Sequence, residues 1–292
     1  MMMDGTVQAM VNIVHTVADL RVQVANWRAD GLRVGLVPTM GALHAGHMEL
    51  VRLARRKADR VVVSIFVNPT QFAPGEDLTR YPRQPEQDCV RVADAGGHVV
   101  FMPSVDDMYR PGASTFVEVS GVSSGLCGDQ RPGHFRGVAT VVTKLLLQCL
   151  PDVAVFGEKD FQQLQVIRRM VTDLDIPVTI EAAPLVRDVD GLALSSRNAY
   201  LGPAERQTAP RLYAILCETA RSIREGADPV QACEVAAGQL EQAGFGPIDY
   251  LDVRDERTLQ PPDGESGPFL RLFAAVFLGK TRLIDTVRVW DA

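Results

Sequence analysis

Val34-Gly35-Leu36-Val37-Pro38-Thr39-Met40-Gly41-Ala42-Leu43-His44-Ala45-Gly46-His47 is the stretch on which the fold turns. Val34 to Pro38 is a short apolar run with the character of a buried strand, and it ends in a Pro-Thr-Met-Gly turn. From His47 to Arg60 the apolar residues Met48, Leu50, Val51, Leu53 and Ala54 group on one side of a helix. Val61 to Val67 is a near-continuous apolar strand closed by Asn68-Pro69. Strand, helix and strand in this order make a right-handed parallel crossover.

The alternation continues outward. Val99 to Met102 reads as a strand, Val138 to Leu150 as a helix, Val153 to Phe156 as a strand, Leu164 to Leu174 as a helix and Val178 to Ala182 as a strand. Uninterrupted apolar strands between helices belong to a parallel sheet buried on both faces. The expectation is an α/β fold, with residues 1–185 forming a Rossmann-like, doubly wound domain. Beyond it, Pro203 to Glu225 and Pro229 to Ala243 read as two amphipathic helices. Tyr250 to Val253, Phe269 to Leu278 and Leu283 to Val289 suggest a small antiparallel sheet, with a Pro/Gly-rich loop from Gln260 to Pro268. Residues 186–292 are thus expected to form a smaller C-terminal α+β capping domain.

Composition narrows the function. The 292 residues are 46% apolar and 23% charged, enough for a sizeable core. With 30 Lys+Arg against 36 Asp+Glu the net charge is −6, so general affinity for nucleic acid or anionic membrane is not expected. Any polyphosphate must be held by a local cluster of basic groups and backbone amides. Cys89, Cys127, Cys149, Cys217 and Cys233 include no CxxC pair, which points to free thiols in a reducing cytoplasm. The start MMMDGTVQAM lacks a basic region ahead of a long apolar stretch, so no signal peptide is expected. The longest apolar runs are interrupted by Lys144 and Arg271 and fall short of the roughly 20 residues a membrane helix needs.

Three segments carry chemistry. His44-Ala45-Gly46-His47 places two imidazoles at the start of a helix that follows a buried strand. Ligands of open α/β sheets bind at that strand end, and the helix N-terminus favours anions. A capped helix start with two surface histidines, or a metal pair, would be the plainer reading; no third ligand sits at a suitable spacing. In Phe156-Gly157-Glu158-Lys159-Asp160-Phe161-Gln162-Gln163, Lys159 offers a point charge for a phosphate and Asp160 an acceptor for a ribose. Gln162-Gln163 adds polar reach toward a substrate, against the alternative of a solvated turn. In Leu194-Ser195-Ser196-Arg197-Asn198, two hydroxyls and a guanidinium in an exposed loop suit a polyphosphate clamp, or an ordinary polar turn. No GxGxxG follows the first strand, and Gly279-Lys280-Thr281 lacks the first glycine of a P-loop.

Together with Phe66-Val67-Asn68-Pro69-Thr70-Gln71-Phe72 and Arg131-Pro132-Gly133-His134-Phe135, these segments closely resemble the pantothenate synthetase (pantoate–β-alanine ligase) family, from about Val34 to Leu201. HxGH alone would indicate only the wider superfamily of adenylyl-transferring enzymes. The resemblance implies an ATP-dependent condensation of (R)-pantoate with β-alanine through pantoyl-adenylate, releasing AMP and pyrophosphate, with Mg²⁺ accompanying ATP. It implies that Met40, Gly41, Ala42, Leu43, His44, Ala45, Gly46 and His47 line ATP, with His47 the proton donor. Gly157, Glu158, Lys159 and Asp160 hold ribose and phosphates, Val186 lies near the adenine, and Leu194, Ser195, Ser196 and Arg197 close over the phosphates. His44, His47, Lys159, Ser195, Ser196 and Arg197 form the catalytic set, and Gln71 and Gln163 bind pantoate. A cytoplasmic homodimer is implied as well. No metal ligand is assigned; for Asp88 the plainer reading of a surface carboxylate outweighs that of a metal ligand. Leu194 departs from the family's usual Met, and the segment before Val11 has no counterpart and reads as disordered. A nucleotidyltransferase that keeps AMP on its product and an inactive nucleotide-binding module are the competing readings.

Overall fold

The computed structural model describes residues 11–263 and 267–290. The segment before Val11 and part of the Gln260 to Pro268 loop lie outside them. Six strands, β1 (Asn12–Val14), β2 (Val34–Thr39), β3 (Arg60–Ile65), β4 (Val99–Phe101), β5 (Val153–Gly157) and β6 (Thr179–Ala183), form one sheet in the order β1-β4-β3-β2-β5-β6. The pairs β1–β4, β4–β3, β3–β2 and β2–β5 are all parallel. In β2 and β3 the side chains Val34, Leu36, Val37, Val61, Val62 and Val63 are wholly inaccessible, as a sheet covered on both faces requires.

The helices of the first two-thirds are α1 (Val17–Ala29), α2 (Ala45–Lys57), α3 (Pro85–Asp94), α4 (Val105–Met108), α5 (Leu126–Gln130), α6 (His134–Cys149) and α7 (Phe161–Asp173). α2 buries Met48, Val51 and Ala54 against the sheet, the i, i+3, i+6 stripe that its sequence carries. β2 sits between β3, which follows it, and β5, which comes much later. The strand order therefore reverses beside β2, where ligands of such sheets bind beyond the carboxyl ends.

The second sheet is antiparallel: β7 (Ile248–Asp255), β8 (Leu270–Leu278) and β9 (Thr281–Arg288), in that order. Helices α9 (Arg211–Arg224) and α10 (Pro229–Gln242) pack on it through Leu212, Leu216, Leu240, Leu272 and Val276. α10 starts well: Pro229 occupies its first turn and the Asp228 carboxylate accepts the Val230 and Gln231 N–H groups, each at 3.0 Å.

By packing, the chain separates into two units whose segments alternate along the sequence. One holds residues 1–118, 136–156 and 170–183; the other holds 119–135, 157–169 and 184–292. Two expectations need correction. The helix read over Pro203 to Glu225 is two helices, α8 (Pro203–Thr208) and α9, because Pro210 has no N–H to continue the ladder. α2 begins at Ala45, two residues before His47, since His44 takes the extended N-cap conformation. Gly279-Lys280 forms the turn of the β8–β9 hairpin. The five cysteines are free, with Cys149 and Cys233 buried and the other three half-buried.

Candidate active site

In the first unit the chain leaves β2 through Thr39, whose hydroxyl donates to the Ser64 carbonyl at 2.7 Å and accepts the Gly41 N–H at 3.2 Å. Gly41 and Ala42 then take left-handed backbone angles, φ 82° and 50°. This tight turn delivers His44 to the N-cap of α2. The His44 and His47 rings lie with centroids 4.1 Å apart at a tilt of 49°, and the His44 backbone N–H donates to His47 Nδ1 at 3.3 Å. An imidazole that accepts at Nδ1 carries its proton on Nε2 when neutral. His47 therefore has a defined donor edge beside the first turn of α2, whose N–H groups have no carbonyl partners within the helix.

Gln71 is oriented just as firmly. Asn68, 1% exposed, donates from Nδ2 to Gln71 Oε1 (2.9 Å) and to the Gly137 carbonyl (3.2 Å). Its Oδ1 accepts from the hydroxyls of Thr70 (3.0 Å) and Tyr109 (2.8 Å). With Oε1 taken, the Gln71 amide directs its NH₂ toward Met40 Sδ at 3.3 Å. A cavity of about 300 Å³ opens beside this loop, lined by Met40, Gly41, Ile65, Phe66, Asp88 and Ser104 among others. Of the anticipated site residues only Met40 and Gly41 line it.

In the second unit, Glu158 to Asp160 form a 3₁₀ turn with Lys159 Nζ 3.6 Å from Asp160. Glu158 faces Arg271 (3.8 Å) and Arg288 (3.9 Å), and both arginines also pair with Glu256 at 2.9 and 3.0 Å. Arg271 is buried and stacks over the Phe161 ring at 4.0 Å. This quartet fixes the residue before Lys159.

Val186 and Leu194 are partners across a narrow loop, the Leu194 N–H donating to the Val186 carbonyl at 3.0 Å. The loop is pinned at Arg187, whose guanidinium makes a bidentate pair with buried Asp285 (2.7 and 2.8 Å) and lies 3.5 Å from the Tyr213 ring centroid. Burial outweighs the arginine and holds the Asp285 carboxyl above the usual range. Arg206 bridges Asp188 and Asp190 farther along. Ser195 caps the 3₁₀ turn Ser196–Tyr200, its hydroxyl accepting the Arg197 N–H at 3.3 Å. Leu194 to Arg197 are half-buried, not an exposed loop: the bridge between Arg187 and Ala193 and the Asn198 amide on the Ala193 carbonyl draw them inward.

A family model described as pantoate-beta-alanine ligase matches residues 12–288. The pantothenate synthetase of Paramagnetospirillum magneticum is 58% identical over 96% of this chain and 98% of its own length, and that of Rhodospirillum rubrum 56% over 95% and 98%. The crystal structure of pantothenate synthetase from Thermus thermophilus superimposes with a TM-score of 0.90 at 44% identity, over 96% of this chain and 100% of that one. The Francisella tularensis pantoate-beta-alanine ligase, crystallised with Beta-gamma ATP and Beta-alanine, gives 0.80 at 33% identity, over 97% and 99%.

The chain belongs to the pantoate–β-alanine ligase family.

It is an enzyme, a ligase of pantothenate biosynthesis. Two residues of this ligase read differently in the fold than in the sequence. Gln162 does not reach for a substrate. It is 5% exposed, its Oε1 accepts the Cys127 N–H (3.0 Å), and its Nε2 donates to the carbonyls of Val122, Ser124 and Gly125 at 3.1–3.2 Å. Its neighbour Gln163 is half-buried. Asp88 is no surface carboxylate: it is 1% exposed and accepts the N–H groups of Ala42 (2.9 Å) and Leu43 (2.8 Å). Asn68, which orients Gln71, carried a sequence signal in its place before Pro69, a turn-capping position. Asp88 carried none, because nothing local marks a carboxylate that bonds to backbone 46 residues away.

Proposed function

We propose that this ligase joins (R)-pantoate to β-alanine in two steps. The pantoate carboxylate oxygen attacks the α-phosphorus of ATP, the bond to the β-phosphate bridging oxygen breaks, and pyrophosphate leaves with the electron pair. β-Alanine, having lost its ammonium proton, then attacks the acyl carbon of pantoyl-adenylate. The bond to the AMP oxygen breaks, and pantothenate and AMP result. A carboxylate nucleophile needs no base, so the chain's work is positioning and charge neutralisation. The single observation that carries the reading is the His44–His47 run at the carboxyl end of β2, with the His47 Nε2 proton set by the bond at Nδ1.

In this reading Met40 to His47 line the triphosphate and His47 donates toward the departing charge. Lys159, Ser195, Ser196, Arg197 and His44 add positive charge and donors; Gly157, Glu158, Asp160, Val186 and Leu194 seat the nucleoside. Gln71 and Gln163 hydrogen-bond the hydroxyls and carboxylate of pantoate. The Gln71 amide, fixed by Asn68 with its NH₂ directed at Met40 of the same loop, supports that role, and the Francisella relative's complex supports ATP and β-alanine as co-substrates. Mg²⁺ enters on the triphosphate: among the described residues no cluster of three His, Cys, Asp or Glu could hold a metal ion, and both Asp88 oxygens are engaged by backbone N–H groups. We also propose a homodimer working in the cytoplasm; no helix among the described residues is long and apolar enough to cross a membrane.

The purified protein should exchange labelled pyrophosphate into ATP only when pantoate is present. Exchange indifferent to pantoate would sink the adenylate mechanism. AMP retained on the product, instead of released, would favour nucleotidyl transfer.

A further inference from the structure

We propose that Asp88 is a positioning residue that holds the nucleotide loop in its binding conformation. Gly41 and Ala42 both have positive φ, and the tight turn they make brings the successive N–H groups of Ala42 and Leu43 toward one point, a small anion-binding concavity. The anion in it here is the protein's own. Asp88 Oδ2 accepts from Ala42 N–H and Oδ1 from Leu43 N–H, at 2.9 and 2.8 Å, with Gln84 Nε2 at 3.4 Å from Oδ1. One helical turn later on the same face of α3, Arg91 donates to the Leu43 carbonyl. The helix thus grips Leu43 by both its N–H and its C=O, immediately before His44.

The grip explains two features of the loop. A Cβ at position 41 would lie 3.2 Å from Asp88 Oδ2 and 3.0 Å from Ile65 Cγ2, so glycine permits the approach of the carboxylate. Ala42, which carries a Cβ, is left-handed at a steric cost that persists only where the surroundings over-determine it. Asp88 supplies that determination. Its oxygens are committed to backbone, which sets this role apart from metal ligation.

The inference rests on reading Met40 to His47 as the nucleotide loop. Its test is calorimetric binding of a non-hydrolysable ATP analogue, which reads the loop whether or not pantoate drives pyrophosphate exchange. Asp88→Asn turns an NH₂ toward a backbone N–H and forfeits one of the two bonds. It should weaken analogue binding roughly 10- to 100-fold and leave the Mg²⁺ concentration for half-maximal exchange at its wild-type value. Adding Ala42→Gly to Asp88→Asn removes the steric cost of the left-handed residue and should recover several-fold of the lost affinity. Unchanged analogue affinity, a raised Mg²⁺ requirement, or no recovery from Ala42→Gly would each overturn the proposal. Should Asp88→Asn not fold, hydrogen exchange on the ligand-free wild type decides: slow exchange at the Ala42 and Leu43 amides supports the grip, and fast exchange refutes it.

Discussion

His98 is half-buried between α1 and the sheet, its ring edge-on to Trp27 and its Nδ1 accepting the Val61 N–H at 3.1 Å. Burial first, then the charges of Arg55 and Arg60, pull its pKa from 6.5 to about 4. The unfolded chain therefore binds a proton between these two values that the folded chain refuses. Stability supplied by neutral His98 is complete above pH 6.5 and is lost as pH falls toward about 4. Denaturant titrations across that window should show a shallower acid decline for His98→Asn than for the wild type; parallel curves would show that His98 does not titrate as its setting dictates. At this same scale the sequence was least legible. Gln162 and Gln163 are adjacent and identical in composition, yet one is consumed by three carbonyls and an N–H of a loop nearly 40 positions earlier. Only the fold distinguishes them.

Among the elements, α6 approaches the turn Pro69–Gln71 so closely that Gly137 is obligatory. A Cβ there would stand 2.4 Å from the Thr70 carbonyl oxygen and 2.7 Å from the Gln71 nitrogen, both rigid backbone. Gly137→Ala must displace that turn and disturb the Asn68 bond to the Gly137 carbonyl. Under the proposed mechanism the cost falls on pantoate: steady-state kinetics should show its KM raised roughly 10- to 100-fold, as expected for an ångström of misplacement, with the ATP KM little changed. An unaltered pantoate KM would remove Gln71 from the pantoate site. The parallel strands were readable because a sheet covered on both faces demands unbroken apolar runs, and Val61 to Val63 obey. β1 is not legible in the sequence because Asn12–Val14 is three residues long, too short to show a period. The break between α8 and α9 was announced by Pro210, but the amphipathic pattern on either side masked it.

For the molecule as a whole, net charge of −6 leaves affinity for polyphosphate to local groups. Binding confined to the native state must then stabilise it. At about a hundredfold excess of ATP over its dissociation constant the gain is about 2.7 kcal/mol, and the melting temperature should rise by several degrees in a thermal scan. A flat melting curve across that range would mean the folded protein has no such nucleotide site. The alternation of strands and helices disclosed the sheet, but not how its segments are shared out. Three segments of each unit alternate in the chain, so the backbone passes from one to the other five times.

That threading bears on how the molecule can be taken apart. Arg271 and Phe273, deep in the C-terminal sheet, rest on Phe161 and Glu158, which precede them by more than a hundred positions. No single cut in the gene separates the units, and an excised piece beginning at 184 would leave a buried guanidinium with neither its stacking ring nor one of its carboxylates. Exchanging the C-terminal third with a relative at one crossover would therefore divide the second unit's own packing.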